Sequence, residues 1–324
     1  MKDSGERTIR IYQILQKHTD ASCILSMPQI IAILEEDGIE ANRRSVYRSI
    51  DALQRCGIPV VFTRSPAQGY YLDHDLSIPE AVILANAVRE SRSLSAEDAD
   101  RLCDVILSHL SESQQEKVYL TPDTVPHAEN PEIMQNLSVL LEAIHRGCPV
   151  SFRYFDYSVT HKKQYRKNNR KYELIPYAVV TSESRYYTVM YSLSHQSFAN
   201  YRLDKMENVI ISGEPAEKIP FDLNAWMQSG FRMYRGNPET VTAVFDLSLS
   251  SVVFDQFGKD LIISEVTDQT FTASIRSSVT PTLISWILQF PGRITVLKPQ
   301  PLIDRLLEIS ESIQNTYQGG EHEQ

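Results

Sequence analysis

Hydrophobic positions in the first third of the chain recur at the helical interval. Ile9, Ile11, Tyr12, Ile14 and Leu15 lie close to the 3.6-residue period and predict an amphipathic helix over residues 7–17. Ser26 with Gln29 three residues on forms a capping-box pattern, and Pro28 suits a first turn. Ile30, Ile31, Ile33 and Leu34 then supply the apolar side of a second helix, which Asp37-Gly38 stops. After a four-residue break Asn42 is placed to cap a third helix, with Val46, Ile50 and Leu53 at i, i+4 and i+7 facing inward. The remaining surface of its first turns carries Arg43, Arg44, Tyr47 and Arg48. Two β-rich runs follow, residues 58–63 and 69–72, joined by Arg64 to Gln68 with turn formers at the tip, which is a hairpin pattern.

Beyond residue 76 the pattern is helical again, through Ile78 to Val88 and Leu102 to Leu110, with an acidic outer surface that suits a connector or a dimer contact. Residues 121–126 lack periodicity and read as a linker. A helix from Pro131 to Gly147 leads into strands at 150–154, 172–180, 185–191 and 198–203, short and aromatic as in a small barrel or strongly curved sheet. Residues 239–317 alternate strand and helix in the order of a ferredoxin-like α+β module. The expected organisation is therefore α+β and multidomain. Its units are 1–75 (helices and hairpin), 76–125 (helical connector and linker), 126–212 (barrel), 213–317 (C-terminal α+β extension) and 318–324 (polar tail).

Composition narrows the functional classes. A chain of 324 residues with 42% apolar content has material for two or three packed domains. Neither a P-loop nor a G-x-G-x-x-G is present, so the common nucleotide-cradling loops are excluded. No apolar run reaches the length of a membrane span and no signal-type stretch follows the charged start, so the expectation is a cytoplasmic chain without membrane contact. Cys23, Cys56, Cys103 and Cys148 stand far apart without C-x-x-C, which predicts reduced thiols rather than a zinc ribbon or a disulfide framework. His145 and Cys148 have no second ligand pair nearby, and no nucleophile–base motif is visible. No metal, cofactor or enzymatic activity is expected.

Charge is unevenly placed. The net charge is −9, yet residues 146–210 hold 11 Lys and Arg against 5 Asp and Glu, a local excess of +6. Such a segment in an acidic chain predicts an anionic ligand. Helix, four-residue turn, helix is also the spacing of a helix-turn-helix, whose second helix presents its N-terminal residues to base edges in the major groove. Asn42, Arg43, Arg44, Tyr47 and Arg48 hold those places, with Arg64 on the hairpin beside them, and duplex DNA is the partner they predict. In the basic segment, cations interleave with tyrosines as single-stranded nucleic acid requires, since the backbone needs charge and the bases need π-faces. Tyr154, Arg170, Tyr172, Arg185, Tyr187, Arg202 and Lys205 are the residues expected to line one anion-binding face. Strand alternation puts Arg185 with Tyr187, and Arg170 with Tyr172 if that strand extends back so far; Arg202 and Lys205 are expected to converge from the end of the last strand. Arg202 has a structural alternative in an ion pair with Asp204 or a nearby Glu.

The stretch Arg44 to Leu53, followed by Gly57-Ile58-Pro59-Val60 and Gly69-Tyr70-Tyr71-Leu72, resembles the winged helix-turn-helix of DeoR-like and YafY-like bacterial transcription regulators, with Ser45 where Thr is commoner and Ser49 where Asp is usual. Residues 131–212 resemble a WYL domain, in which a helix leads into an Sm-like β-barrel. The matching stretches are Phe152-Arg153-Tyr154, Tyr172 to Tyr177 and Tyr201 to Met206, while the name triad falls at Tyr186-Tyr187-Thr188 and keeps only the central Tyr. The resemblance implies a ligand-responsive regulator: the winged helix binds operator DNA, the barrel senses a nucleic acid or nucleotide, and the C-terminal extension closes a homodimer. The alternative is an accessory protein that binds single-stranded RNA or DNA without an operator.

Overall fold

The first three helices of the computed structural model are α1 (Asp3–His18), α2 (Met27–Glu36) and α3 (Arg43–Arg55), followed by the hairpin β1 (Val60–Thr63) and β2 (Gly69–Leu72). Residues 3–318 are described except 66, 123, 218, 232–233, 236–237 and 259–260. The expected tail at 319–324, the hairpin's Pro66 and the linker's Asp123 therefore lie outside them. Both capping boxes form: the Ser26 N–H donates to Gln29 Oε1 at 2.9 Å, and Asn42 Oδ1 accepts from the Ser45 N–H at 2.9 Å. With Asp37 closing α2 and Asn42 opening α3, residues 38–41 lie between the caps. Ile11, Leu15, Ile30, Leu34 and Val46 are fully buried where the three helices meet. The hairpin is anchored by a backbone bridge between Leu25 and Tyr70. Gly69 permits it, because a Cβ there would stand 2.6 Å from the Leu25 carbonyl oxygen.

Three capped helices form the connector: α4 (Ile78–Arg89), α5 (Ala96–Leu107) and α6 (Glu112–Gln115), started by Ser77, Ser95 and Ser111. They are tied to the first module by polar contacts. Ser111 Oγ donates to Asp20, and His74 places its two ring nitrogens 2.7 Å from Thr19 O and 2.9 Å from His109 O.

Helix α7 (Ile133–Arg146) ends at Gly147, whose φ of 69° turns the chain into the sheet. The sheet comprises β3 (Val150–Tyr157), β4 (Lys163–Tyr165), β5 (Tyr172–Ser182), β6 (Arg185–Ser192), β7 (Ser197–Arg202) and β8 (Met206–Ile211), all neighbours antiparallel. Strand β3 pairs with β8, with β5 over Val150 to Phe152 and with β4 over Phe155 to Tyr157, and β6 and β7 follow β5 in order. No ladder joins β7 to β8 among the described residues, so of the expected small barrel or strongly curved sheet the chain forms a curled half-barrel. Helix α7 packs on the sheet, with Leu140, Ala143, Val150, Phe152, Met190 and Leu203 fully buried in the shared core.

After the sheet come α8 (Leu223–Ser229) and a short ladder of β9 (Gly230–Phe231) with β10 (Tyr234–Arg235). The C-terminal unit is β11 (Pro238–Asp246), α9 (Ser250–Phe257), β12 (Ile262–Val266), β13 (Thr270–Ser278), α10 (Pro281–Leu288), β14 (Ile294–Lys298) and α11 (Gln300–Gln318). Its antiparallel sheet has the order β12-β13-β11-β14 and packs Val241, Phe245, Phe271 and Ala273 against Leu283, Trp286 and Leu302 of the helices. Among the described residues no helix is long and apolar enough to cross a membrane.

Candidate functional site

Two surfaces carry chemistry. The first is the outer side of α3, where Asn42, Arg43, Arg44, Tyr47 and Arg48 are all exposed because the buried stripe of Val46, Ser49, Ile50 and Leu53 faces the other way. Two other arginines of this module are paired: Arg10 meets Asp37 at 2.6 Å, and Arg55 meets Asp51 at 3.2 Å. Arg43, Arg44 and Arg48 have no carboxylate partner among the described residues. The hairpin adds exposed Arg64, whose guanidinium sits 5.9 Å from the centre of the Phe62 ring. Tyr47 stands edge-on to Tyr70 at 6.5 Å; burial, with Tyr47 alongside, pushes the Tyr70 phenol up to about 12.

The second surface is the basic half-barrel, which sorts its charges around two carboxylates. Arg185, Tyr187 and Arg202 come together, Tyr187 and Arg202 being opposite each other across β6 and β7. Arg202 meets Asp204 with two nitrogens, at 3.0 and 2.6 Å, and Arg185 reaches the same carboxylate at 3.5 Å. The anticipated ion pair of Arg202 is thus formed. Burial and the neighbouring Arg202 press the Arg185 guanidinium downward against the pull of Asp204, and burial pushes the Tyr187 phenol up.

Lys205 belongs to the other group. It bonds to Asp156, whose second oxygen accepts from Arg166 Nε at 2.6 Å. The expected convergence of Arg202 and Lys205 is therefore corrected, since the 3-10 turn Leu203–Lys205 sends the two cations to different carboxylates. Tyr154 and Tyr172 also lie elsewhere than on an open face. Both are buried with Phe152 and Tyr201 in one aromatic cluster, with centroids 5.3 Å apart for Tyr154 and Tyr201 and for Phe152 and Tyr172. Their outer sides are covered by cations, Arg166 at 5.2 Å over Tyr154 and Lys167 at 4.1 Å over Tyr172. Tyr154 Oη accepts the Arg202 N–H at 3.1 Å, and burial pushes this phenol up to about 12. Arg170 is exposed and does not share a strand face with Tyr172. The left-handed residues Lys167, Asn168 and Asn169 precede it and β5 begins only at Tyr172.

Asp156, Arg166 and Lys167 are absent from the residues that spacing pointed to, and Asp204 entered only as a partner for Arg202. Tyr154 and Asp156, two apart on β3, carried a signal of shared side; the reach of Arg166 from the basic loop carried none. A parallel group sits nearby: Glu207 accepts from Lys163 Nζ at 2.8 Å and from Tyr165 Oη at 2.6 Å.

The curled sheet with its leading helix defines the class to which this region belongs: residues 135–211 match the WYL domain, and the chain carries one. Over most of its length the chain is similar to YobV of Bacillus subtilis (strain 168), an uncharacterized HTH-type transcriptional regulator, at 24% identity over 312 residues, covering 91% of this chain and 96% of YobV. It is also similar to the proteasome accessory factor B/C (PafBC) of Arthrobacter aurescens, at 15% identity and a TM-score of 0.27, covering 93% of this chain. The chain spans 47% of the length of that PafBC chain, and a likeness so distant places no residue.

Proposed function

We propose that the chain is a DNA-binding transcription regulator rather than an enzyme. In this reading the first three helices and the hairpin are a winged helix-turn-helix, and the WYL half-barrel senses an anionic ligand. The C-terminal unit, ferredoxin-like in its strand order, contributes to a homodimer in the cytoplasm. The observation that carries the reading is the uncompensated cationic side of α3, where Arg43, Arg44 and Arg48 project at the N-terminal end of the second helix of the pair. Duplex phosphates or guanine edges supply the acceptors those guanidiniums lack. Similarity to an HTH-type regulator over 91% of the chain supports it.

On the half-barrel, the ligand residues we retain are Arg185, Tyr187 and Arg202, with Lys205 in the neighbouring Asp156 group and Arg170 at the loop. The ring faces of Tyr154 and Tyr172 are already covered by Arg166 and Lys167, so stacking of bases there would require both cations to move. This weighs against the accessory reading, in which single-stranded bases stack along the tyrosines, and leaves phosphate charge as the main attraction.

The test is duplex binding by footprinting and fluorescence anisotropy. Replacement of Arg43, Arg44 and Arg48 by Ala is expected to abolish protection of the preferred duplex; Arg44→Ala alone weakens it by about 1–3 kcal/mol if it reads a base. Unchanged affinity and salt slope in the triple variant would remove this module as the DNA reader.

A further inference from the structure

A cavity of about 250 Å³ lies next to the Arg185 group, at the seam between the connector and the half-barrel. Arg89, Glu90 and Arg92 line it from the end of α4, Thr121 and Thr124 from the linker, and Ser184 from the turn between β5 and β6. Backbone hydrogen bonds fix these walls. The Arg92 N–H donates to Ser184 O at 2.7 Å, the Tyr186 N–H donates to Ser93 Oγ at 2.8 Å, and the Thr121 N–H donates to Asn86 Oδ1 at 2.8 Å.

The lining is rich in donors. Neither Arg89 nor Arg92 has an ion pair or a side-chain hydrogen bond among the described residues, although Glu90 is close by. Arg92 also acts on the charge of Arg185, which already shares Asp204 with Arg202. Among the described lining residues two guanidiniums, Arg89 and Arg92, stand against one carboxylate, Glu90, while next to Ser184 the pair Arg185 and Arg202 shares Asp204, with Glu183 close to Tyr187. No aromatic side chain lines the cavity, so a base has nothing to stack on, and its volume falls below the roughly 300–1,000 Å³ of drug-sized pockets. A compact tetrahedral anion with acceptors on every side matches two arginines and three hydroxyls.

We infer that this cavity is a phosphate subsite, taking one phosphoryl group of an anionic ligand whose adjoining part rests on Arg185, Tyr187 and Arg202. The adjoining part of that statement rests on the ligand reading above; the cavity's affinity for a phosphoryl group does not. A phosphate held here bridges the connector, the linker and the β5–β6 turn, so occupancy of the sensor is felt directly by α4. From there Ser111–Asp20 and the His74 contacts lead to the first module.

The experiment titrates the full chain with two probes, inorganic pyrophosphate and a twelve-residue oligothymidylate. The proteins are wild type, Arg89→Gln/Arg92→Gln, the charge-keeping Arg89→Lys/Arg92→Lys, and Arg185→Gln/Arg202→Gln. Circular dichroism checks that each is folded. The inference expects the Gln pair at the seam to lose about tenfold in affinity for at least one probe, with a salt slope shallower by about 1 to 1.5 for the oligonucleotide, and the Lys pair to retain part of it. Loss for the oligonucleotide alone identifies a polymer phosphate as the source; loss for pyrophosphate alone identifies a free anion and upholds the cavity even if the half-barrel binds no nucleic acid. Affinities for both probes that are the same in wild type and the seam Gln pair, or no binding of either probe by wild type, would overturn it. An oligonucleotide affinity that falls only in Arg185→Gln/Arg202→Gln overturns the cavity while leaving the ligand face standing.

Discussion

Asp156 shows how single residues hold the half-barrel together. Burial pushes its carboxyl up, but hydrogen bonds from Arg166 and Lys205 outweigh this and hold it below the ordinary carboxylate range. Glu207 behaves alike, with Lys163 and Tyr165 prevailing over burial, and so does buried Asp20, where bonds from Ser111 and Ser22 prevail. A carboxylate whose folded pKa lies below its unfolded value contributes stability that is complete above the unfolded value and is lost as pH falls through the folded one. The urea midpoint is therefore expected to be level from neutrality down to about pH 5 and to fall below about pH 4, where unfolded carboxylates begin to bind protons. Asp156→Asn should be less stable at neutral pH, with a shallower acid loss; an acid limb identical to that of the wild type would show that the ion pairs of Asp156 contribute nothing.

Among the elements, α3 combines structure and function at one position. Asn42 accepts the Ser45 N–H while Ser45 Oγ accepts the Asn42 N–H, and the same Asn42 is exposed at the end of the helix proposed to read DNA. Asn42→Ala should cost about 1 kcal/mol in thermal or urea unfolding. Asn42→Asp keeps the cap and should keep the stability, yet it sets a negative charge beside the phosphates and should weaken duplex binding. Equal duplex affinity for Asn42→Asp and wild type would place the helix end away from the backbone. Helices such as α2 and α3 were legible because their caps and apolar stripes are local. Strands β5 and β6 were legible from their aromatic and β-branched runs, although neither alternates cleanly in burial. β8 was not, since Asn208 adopts a φ of 54° and breaks the alternation, so Met206 and Val209, three apart, are both buried. The ion pairs of Asp156 and Asp204 depend on how the sheet curls, and only the pair of Arg202 with Asp204, two residues apart, could be anticipated.

At the scale of the whole molecule, the C-terminal sheet leaves β12 as an outer strand with Ile262 70% and Val266 64% exposed. Exposed apolar edges of this kind are covered in stable proteins, and a second copy of the chain is the cover the proposed regulator calls for. Light scattering at micromolar concentration is expected to give a dimer mass, reduced toward the monomer by Ile262→Asp; a monomeric wild type would contradict the pairing of two DNA-reading modules. In the proposed regulator, ligand on the half-barrel and duplex on α3 are coupled through the connector, and this coupling governs the response. It is tested most directly by measuring duplex affinity with and without saturating single-stranded oligonucleotide, in wild type and in Arg185→Gln/Arg202→Gln. The account predicts a shift of about fivefold or more in wild type and none in the variant, whose basal duplex affinity is unchanged; no shift in wild type, or the same shift in both proteins, would contradict it.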